Sequence, residues 1–347
     1  MISYYYNYYK RFLKSYQTLK NAKPKHTTYP SIGLIDPSIG SNNLGDIIIQ
    51  NAVTRHLRTV YPDAFLTSYP SQLHRTYDAR LKMAQEDVVF VGGTNLLASN
   101  MEDRYQWKID PLDKVYLKNK IVLMGTGWWQ YQQDPNDYTK SLFQNILSQN
   151  YIHSVRDSYT EQMLKKAGIE NVVNTTCPTL WQLSPEHCVT IPQQKAKNVI
   201  TTLTFYHRNA ELDRRMMEIL QANYENVYLW VQGLQDFDYL KEIYPGWQQV
   251  KLVPPVLELY NEMLESEDIE YFGTRLHAGV RALQKGKRTL IVAVDNRAIE
   301  IGKDTNLNVI DRKQVDSSLD FVSKPYKTDI KLPNDTIALW KNQFIRK

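Results

Sequence analysis

Arg275 and His277 stand two residues apart in "YFGTRLHAGVRALQKG", 271–286, where an apolar run gives way to a helical pattern. An arginine fork matches a carboxylate or phosphate with two parallel hydrogen bonds, and the amides at a helix start favour the same charge. A histidine titrates near neutral pH and can give or take a proton there. The pair therefore reads as an anion site with a proton carrier beside it. The plainer reading is a helix start with hydrogen-bonded structural side chains. Leu276 and Val280 lie four apart, with Leu283 three further on, so the helix buries that face and leaves Arg275 and His277 at its ligand-facing end.

Three other loops carry candidates. "PSIGSNNLGDIIIQNAV", 37–53, follows an apolar run, and its glycines and Asn43 permit an unusual backbone path. Its glycine spacing is not that of a dinucleotide fingerprint. Asp46 there either complements the dipole of the helix it opens or accepts a proton from a substrate hydroxyl. In "VFVGGTNLL" a run ends in Gly92 and Gly93, followed by Thr94 and Asn95. Paired glycines let backbone N–H groups approach a ligand, or simply make a tight strand-to-helix turn. In "SVRDSYTEQMLKKAG", Ser158 and Glu161 fit a capping box, which predicts a helix from Ser158 to Gly168. Arg156 then precedes a helix N-terminus, where positive charge is unfavourable. It calls for an anion, either a ligand or the neighbouring Asp157.

Fainter clusters follow other runs: His207 with Arg208 in "TFYHRNAEL", and Asp295, Asn296 and Arg297 in "VDNRAIEIGK". Each is a ligand loop or a solvated one, and His207 is kept as a binding candidate. Trp128 or Trp129 in "GTGWWQ" would stack on a sugar ring or pack in the interior.

The elements that must position these loops are short apolar runs at 31–36, 87–93, 120–127, 152–157, 198–205, 226–233, 268–273 and 289–295. Runs rich in Val, Ile and Leu that do not alternate suit strands buried on both faces of a parallel sheet. Helical patterns between them complete a βα alternation. A chain of 347 residues exceeds one core of usual size. The proline-bearing stretch 183–198 is the natural boundary. The expected layout is an N-terminal extension (1–30), an α/β domain (31–185) of about five strands, a second α/β domain (186–315) of about four, and a tail with a closing helix (316–347). Two doubly wound Rossmann-like domains facing a cleft would turn the carboxyl ends of their strands to a shared ligand.

Composition sets the class. At 42% hydrophobic and 23% charged the chain is an ordinary globular one. The net charge of +5 is spread without long basic runs, which suits an anionic small molecule or a membrane surface and argues against nucleic acid. Cys177 and Cys188 fit no metal motif and read as buried free thiols, so no metal is expected. No apolar run approaches the roughly 18 residues of a membrane span, and the start lacks the apolar core of a secretory signal. A cytoplasmic protein is expected. The opening "MISYYYNYYKRFLKSY" mixes tyrosines with basic residues, as a membrane-interface segment would, or is a helix packed on the body of the protein.

Taken together, "GSNNLGD", "VFVGGTN", "SVRDSYTEQMLKKAG" and "TRLHAGVRALQKG", followed by "LIVAVD", resemble in order and spacing the polysaccharide pyruvyl transferase family, over about residues 31–312. The resemblance implies a GT-B-like fold of two α/β domains. It implies transfer of pyruvate from phosphoenolpyruvate to a sugar, commonly as a cyclic ketal, in making capsule or exopolysaccharide. It further implies that Asp46, Arg156, Arg275, Leu276 and His277 surround phosphoenolpyruvate. His277 is then the acid or phosphate-proton donor, Asp46 the base or orienter for the acceptor, and the two arginines hold the donor and its departing phosphate. Both guanidiniums are expected to converge on that donor. Thr94 departs from the usual third glycine, and "GKR", 286–288, from a usual "GxP". The donor is a substrate, and no cofactor is expected. The acceptor would be a sugar or a lipid-linked oligosaccharide, which would place the protein at the inner membrane face. Two other readings stay open: a GT-B-type glycosyltransferase using a nucleotide sugar, and an inactive binding protein of polysaccharide assembly.

Overall fold

The computed structural model describes residues 2–24, 28–266 and 268–345. Two compact units emerge: Met1–Gly40, Val53–Thr175 and Asp335–Lys347 form the first, Ser41–Ala52 and Thr176–Asn334 the second. All strand pairs among the described residues are parallel.

In the first unit, β1 (Ser31–Asp36), β2 (Phe65–Pro70), β3 (Val88–Gly92) and β4 (Ile121–Met124) form a sheet in the order β2-β1-β3-β4. β5 (His153–Val155) and β6 (Val172–Asn174) pair with each other, and a bridge from Thr126 to Val155 sets β5 beside the continuation of β4. Alternate strand residues serve opposite faces. Ile35, Val89, Val91 and Leu123 join one core with Met83, Phe143 and Leu164. Phe90 points the other way and meets Trp340 and Phe344 edge-on, at 6.1 and 5.3 Å between ring centres. The helix Ile2–Asn21 buries Leu19 in this core and leaves Tyr6, Leu13 and Tyr16 exposed. No helix of the described residues is long and apolar enough to cross a membrane.

In the second unit, β7 (Asn198–Thr201), β8 (Asn226–Trp230), β9 (Lys251–Val253), β10 (Ile269–Gly273), β11 (Thr289–Ala293) and β12 (Val309–Asp311) form one sheet in the order β12-β11-β10-β7-β8-β9. The chain winds outward from β7 to β9, returns beside β7 at β10, and winds the other way to β12. That is the doubly wound Rossmann order. Ile200, Trp230, Tyr271 and Ile291 face one core, and their neighbours Val199, Leu229, Phe272 and Leu290 face the other. The α/β class holds, and two Rossmann-like units in one chain fit the GT-B-like expectation.

Eight strands fall inside the expected apolar runs. Four others, β2, β6, β9 and β12, were not expected, so each unit has six strands among the described residues rather than about five and four. All four end their sheets. An edge strand keeps one side in solvent and needs no continuous apolar run. Phe65–Pro70, for example, fully buries only Tyr69. Departing from the expected "GxP", Arg288 is buried and donates from Nη1 to both oxygens of Glu270 at 2.9 Å, an internal ion pair also joined by the Tyr224 hydroxyl.

Candidate active site

A doubly wound sheet opens its ligand crevice at the carboxyl ends of the strands flanking the reversal of strand order. In the second unit those strands are β7 and β10. The segments leaving them are laced together: Thr274 N–H donates to the Thr202 carbonyl at 3.0 Å, Arg275 N–H to Thr202 Oγ1 at 3.1 Å, and Arg275 Nε to the Leu203 carbonyl at 2.8 Å. Gly273 makes this approach possible, since a Cβ there would stand 2.6 Å from Thr202 N. The helix Leu276–Gln284 begins immediately afterward. Arg275 is its N-cap residue rather than part of its first turn, and no side chain caps it.

Arg275 is 3% exposed, and its guanidinium is engaged on two of its three nitrogens. Nη2 donates to Asp236 Oδ1 at 2.6 Å, and the Tyr206 ring lies 4.7 Å from its carbon. Burial pushes the Asp236 carboxyl up, against the downward pull of Arg275 and of the Gly233 and Phe205 amides. Nη1 is buried and has no acceptor among the described residues. Leaving such a donor unmatched costs on the order of 1–3 kcal/mol. The spot is suited to a ligand oxygen.

His277, 6% exposed, lies on the same cleft with its Nε2 3.7 Å from the sulfur of Cys177. Asn43, Tyr206, Gln232, Asp295 and Arg297 line the cleft as well. Asp295 caps the helix Asn296–Thr305 and takes Arg297 Nε at 3.0 and 2.9 Å on its two oxygens. Burial would raise the Asp295 carboxyl, but Arg297 prevails and holds it at about 2. Arg297 also reaches the Tyr206 hydroxyl at 3.3 Å. Both guanidiniums thus have partner carboxylates that fix them and offset their charge. What the cleft offers an anion is directed N–H groups and helix amides rather than net charge.

The structure gathers Asn43, Arg275, Leu276 and His277 on one cleft. His207 adjoins it: its Nε2 is 3.8 Å from Asp295, its ring abuts Tyr206, and burial pushes its pKa down despite Asp295. Asp46 lies in the first turn of the helix Leu44–Val60 and accepts from the Ser41 hydroxyl at 2.6 Å.

Arg156, Gly93, Thr94 and Asn95 belong to the first unit, whose strand order reverses between β1 and β3. Arg156 is 1% exposed. It donates to Asp157 Oδ2 at 2.8 Å, Asn95 Oδ1 at 2.5 Å and the Trp128 carbonyl at 3.2 Å. Asp157 is the anion that its position called for. Asp157, not Ser158, also caps the helix Ser158–Lys166, accepting from Thr160 N–H and hydroxyl at 2.7 and 2.6 Å. The capping box does not form, because Glu161 turns instead to Lys165 and the Asn174 amide. Gly93 N–H is taken by the Met124 carbonyl at 2.9 Å. Thr94 holds a left-handed φ of 50°, uncommon for a β-branched residue. Trp128 is buried against Phe143, whereas Trp129 is 36% exposed under Arg104.

Asp236, Gln232 and Cys177 were not singled out as site residues. Their only local signals are a carboxylate and an amide after the β8 run and a cysteine in a loop, none of them distinctive. No group of three or more metal-ligating side chains occurs among the described residues.

No curated protein matches the chain. The model of one family, polysaccharide pyruvyl transferase, matches residues 43–296. That stretch is well over half of the sequence and runs from Asn43 at one side of the cleft through Arg275 and His277 to the start of the helix capped by Asp295. The chain belongs to the polysaccharide pyruvyl transferase family.

Proposed function

We propose that this transferase takes its pyruvyl group from phosphoenolpyruvate and sets it as a cyclic ketal on two hydroxyls of a surface-polysaccharide precursor, releasing phosphate. The observation that carries the reading is the buried, unmatched Nη1 of Arg275, beside His277, at the strand-order reversal of the second unit. Phosphoenolpyruvate offers carboxylate and phosphate oxygens to such a donor.

A proton added to the methylene carbon creates cationic character at the adjacent carbon, which a sugar hydroxyl attacks. The bond from that carbon to the phosphate oxygen breaks with its electron pair, and a second hydroxyl closes the ketal. Of the two hydroxyl protons, one replaces the proton spent on the methylene and the other leaves with phosphate. Arg275 holds the donor and stabilises the departing charge. His277 is the proton donor, and Asp46 orients or deprotonates the acceptor. Arg156 acts by position: it fixes the loop of Gly93, Thr94 and Asn95, which serves substrate binding in the first unit. His207 supports Asp295 and Tyr206 at the margin of the cleft.

The test is incubation with phosphoenolpyruvate and polysaccharide fragments, following free phosphate and the ketal methyl signal by NMR. Both should appear in equal amounts. Cleavage of UDP-sugars without consumption of phosphoenolpyruvate would instead mark a glycosyltransferase. Donor binding without phosphate release on any acceptor would mark an inactive binding protein.

The acceptor is proposed to be presented at the inner membrane face. Tyr6, Leu13 and Tyr16 are exposed on the first helix together with Lys10, Arg11 and Lys14, a combination suited to anionic lipid. Co-sedimentation with phosphatidylglycerol vesicles should fall when these three basic residues become glutamate, and unchanged binding would remove the proposal.

A further inference from the structure

The cleft holds a second unmatched atom of opposite character. Gln232 is 3% exposed and lines the cleft with Arg275. Its Oε1 is buried with no donor among the described residues. The orientation of its amide is fixed by a chain of hydrogen bonds. Gly45 N–H donates to Asn43 Oδ1 at 3.1 Å, so that atom of Asn43 must be the carbonyl oxygen. Gln232 meets the same oxygen at 2.7 Å, so the atom it presents must be Nε2. Oε1 is therefore turned away from Asn43, and the amide cannot flip without setting two oxygens against each other. Gly45 leaves room for this packing, because a Cβ there would stand 2.7 Å from Nε2.

A ligand that completes the cleft must accept from Arg275 Nη1 and donate to Gln232 Oε1. Phosphoenolpyruvate satisfies only the first demand, since its carboxylate, phosphate and enol-ether oxygens accept hydrogen bonds. A sugar hydroxyl always carries a proton to give. We infer that Gln232 accepts a hydrogen bond from a hydroxyl of the acceptor sugar and so selects and aligns the hydroxyl that attacks. This rests on the pyruvyl transfer from phosphoenolpyruvate proposed above.

Phosphate release from phosphoenolpyruvate would be measured with methyl glycosides of glucose, galactose and mannose, and with their monodeoxy analogues. Affinity for phosphoenolpyruvate alone would be measured by calorimetry. In Gln232→Ala, kcat/KM for the preferred glycoside should fall at least tenfold, with donor affinity within twofold of wild type. One monodeoxy analogue should be equally poor for both proteins, because the hydroxyl and the amide act as a pair. Gly45→Ala, which displaces the amide and leaves its chemistry intact, should show the same split and covers the case in which Gln232→Ala fails to fold. Lost donor affinity with unchanged use of the glycoside would place Gln232 on a protonated phosphate and overturn the inference, as would no change in either quantity. If wild-type protein binds phosphoenolpyruvate but turns over no glycoside, this inference fails and donor recognition stands. If it does not bind phosphoenolpyruvate, the underlying reading fails first.

Discussion

Arg275 Nη2 and Asp236 Oδ1 are 2.6 Å apart, and the contact exists only because residue 233 is glycine. A Cβ on Gly233 would stand 2.3 Å from Arg275 Nη2 and 3.1 Å from the Asp236 carboxylate. Gly233→Ala should therefore push the guanidinium off its partner while leaving the sheet intact. Activity is expected to fall at least tenfold, about 1.4 kcal/mol in the transition state, with a small change in Tm. Steady-state kinetics beside thermal denaturation checks this, and normal kinetics would show that the contact does not matter to turnover.

His277→Ala should lower kcat by about a hundredfold or more and leave phosphoenolpyruvate affinity nearly unchanged, as expected of a proton donor. Single-turnover phosphate release, compared with donor affinity, separates the two quantities. Unchanged turnover would take His277 out of the chemistry.

Acid should destabilise the protein through His153. Leu123 N–H donates to its Nδ1 at 3.2 Å, and its Nε2 donates to the Ser148 carbonyl at 2.9 Å, which fixes the neutral ring. Burial lowers its pKa to about 4 from an ordinary 6.5, despite the Ser148 carbonyl. The unfolded chain thus binds this proton near pH 6.5 and the folded chain only near pH 4. The contribution is whole above 6.5 and is lost as pH falls toward 4, by about 1.4 kcal/mol per unit. Burial of His207 acts in the same direction. Urea unfolding at pH 7, 5.5 and 4.5 should show the decline, and His153→Gln should flatten it.

Removing one member of the buried Arg288–Glu270 pair should be costly. Arg288→Met leaves a buried carboxylate, and a loss of about 3–5 kcal/mol is expected. Adding Glu270→Gln should recover much of it. Chemical denaturation of the single and double variants measures the coupling.

Interior strands were legible because burial on both faces writes a continuous apolar run, as in "VVFVG" of β3 and "TLIVA" of β11. The edges were not, since three residues such as Lys251–Val253 leave no pattern to find. Within the site, Asn43, Arg275, Leu276 and His277 could be singled out because each loop follows a strand or opens a helix. Asp236, Gln232 and Cys177 could not. Their meaning comes from contacts such as Asn43 with Gln232 and Cys177 with His277, which join distant stretches of chain only once the fold is formed. The cap at Asp157 was hidden for a different reason: Ser158 and Glu161 have the spacing of a capping box, but only the carboxylate can serve Thr160 and Arg156 together.

On the proposed function, Arg275 receives phosphoenolpyruvate. Calorimetric titration of phosphoenolpyruvate into wild-type protein and into Arg275→Lys tests it most directly, because a point charge cannot reproduce the fork that holds Asp236 and presents Nη1. Saturable binding weakened at least tenfold in the variant is the predicted result. Equal affinity in both proteins, or binding of a nucleotide sugar in place of phosphoenolpyruvate, would contradict it.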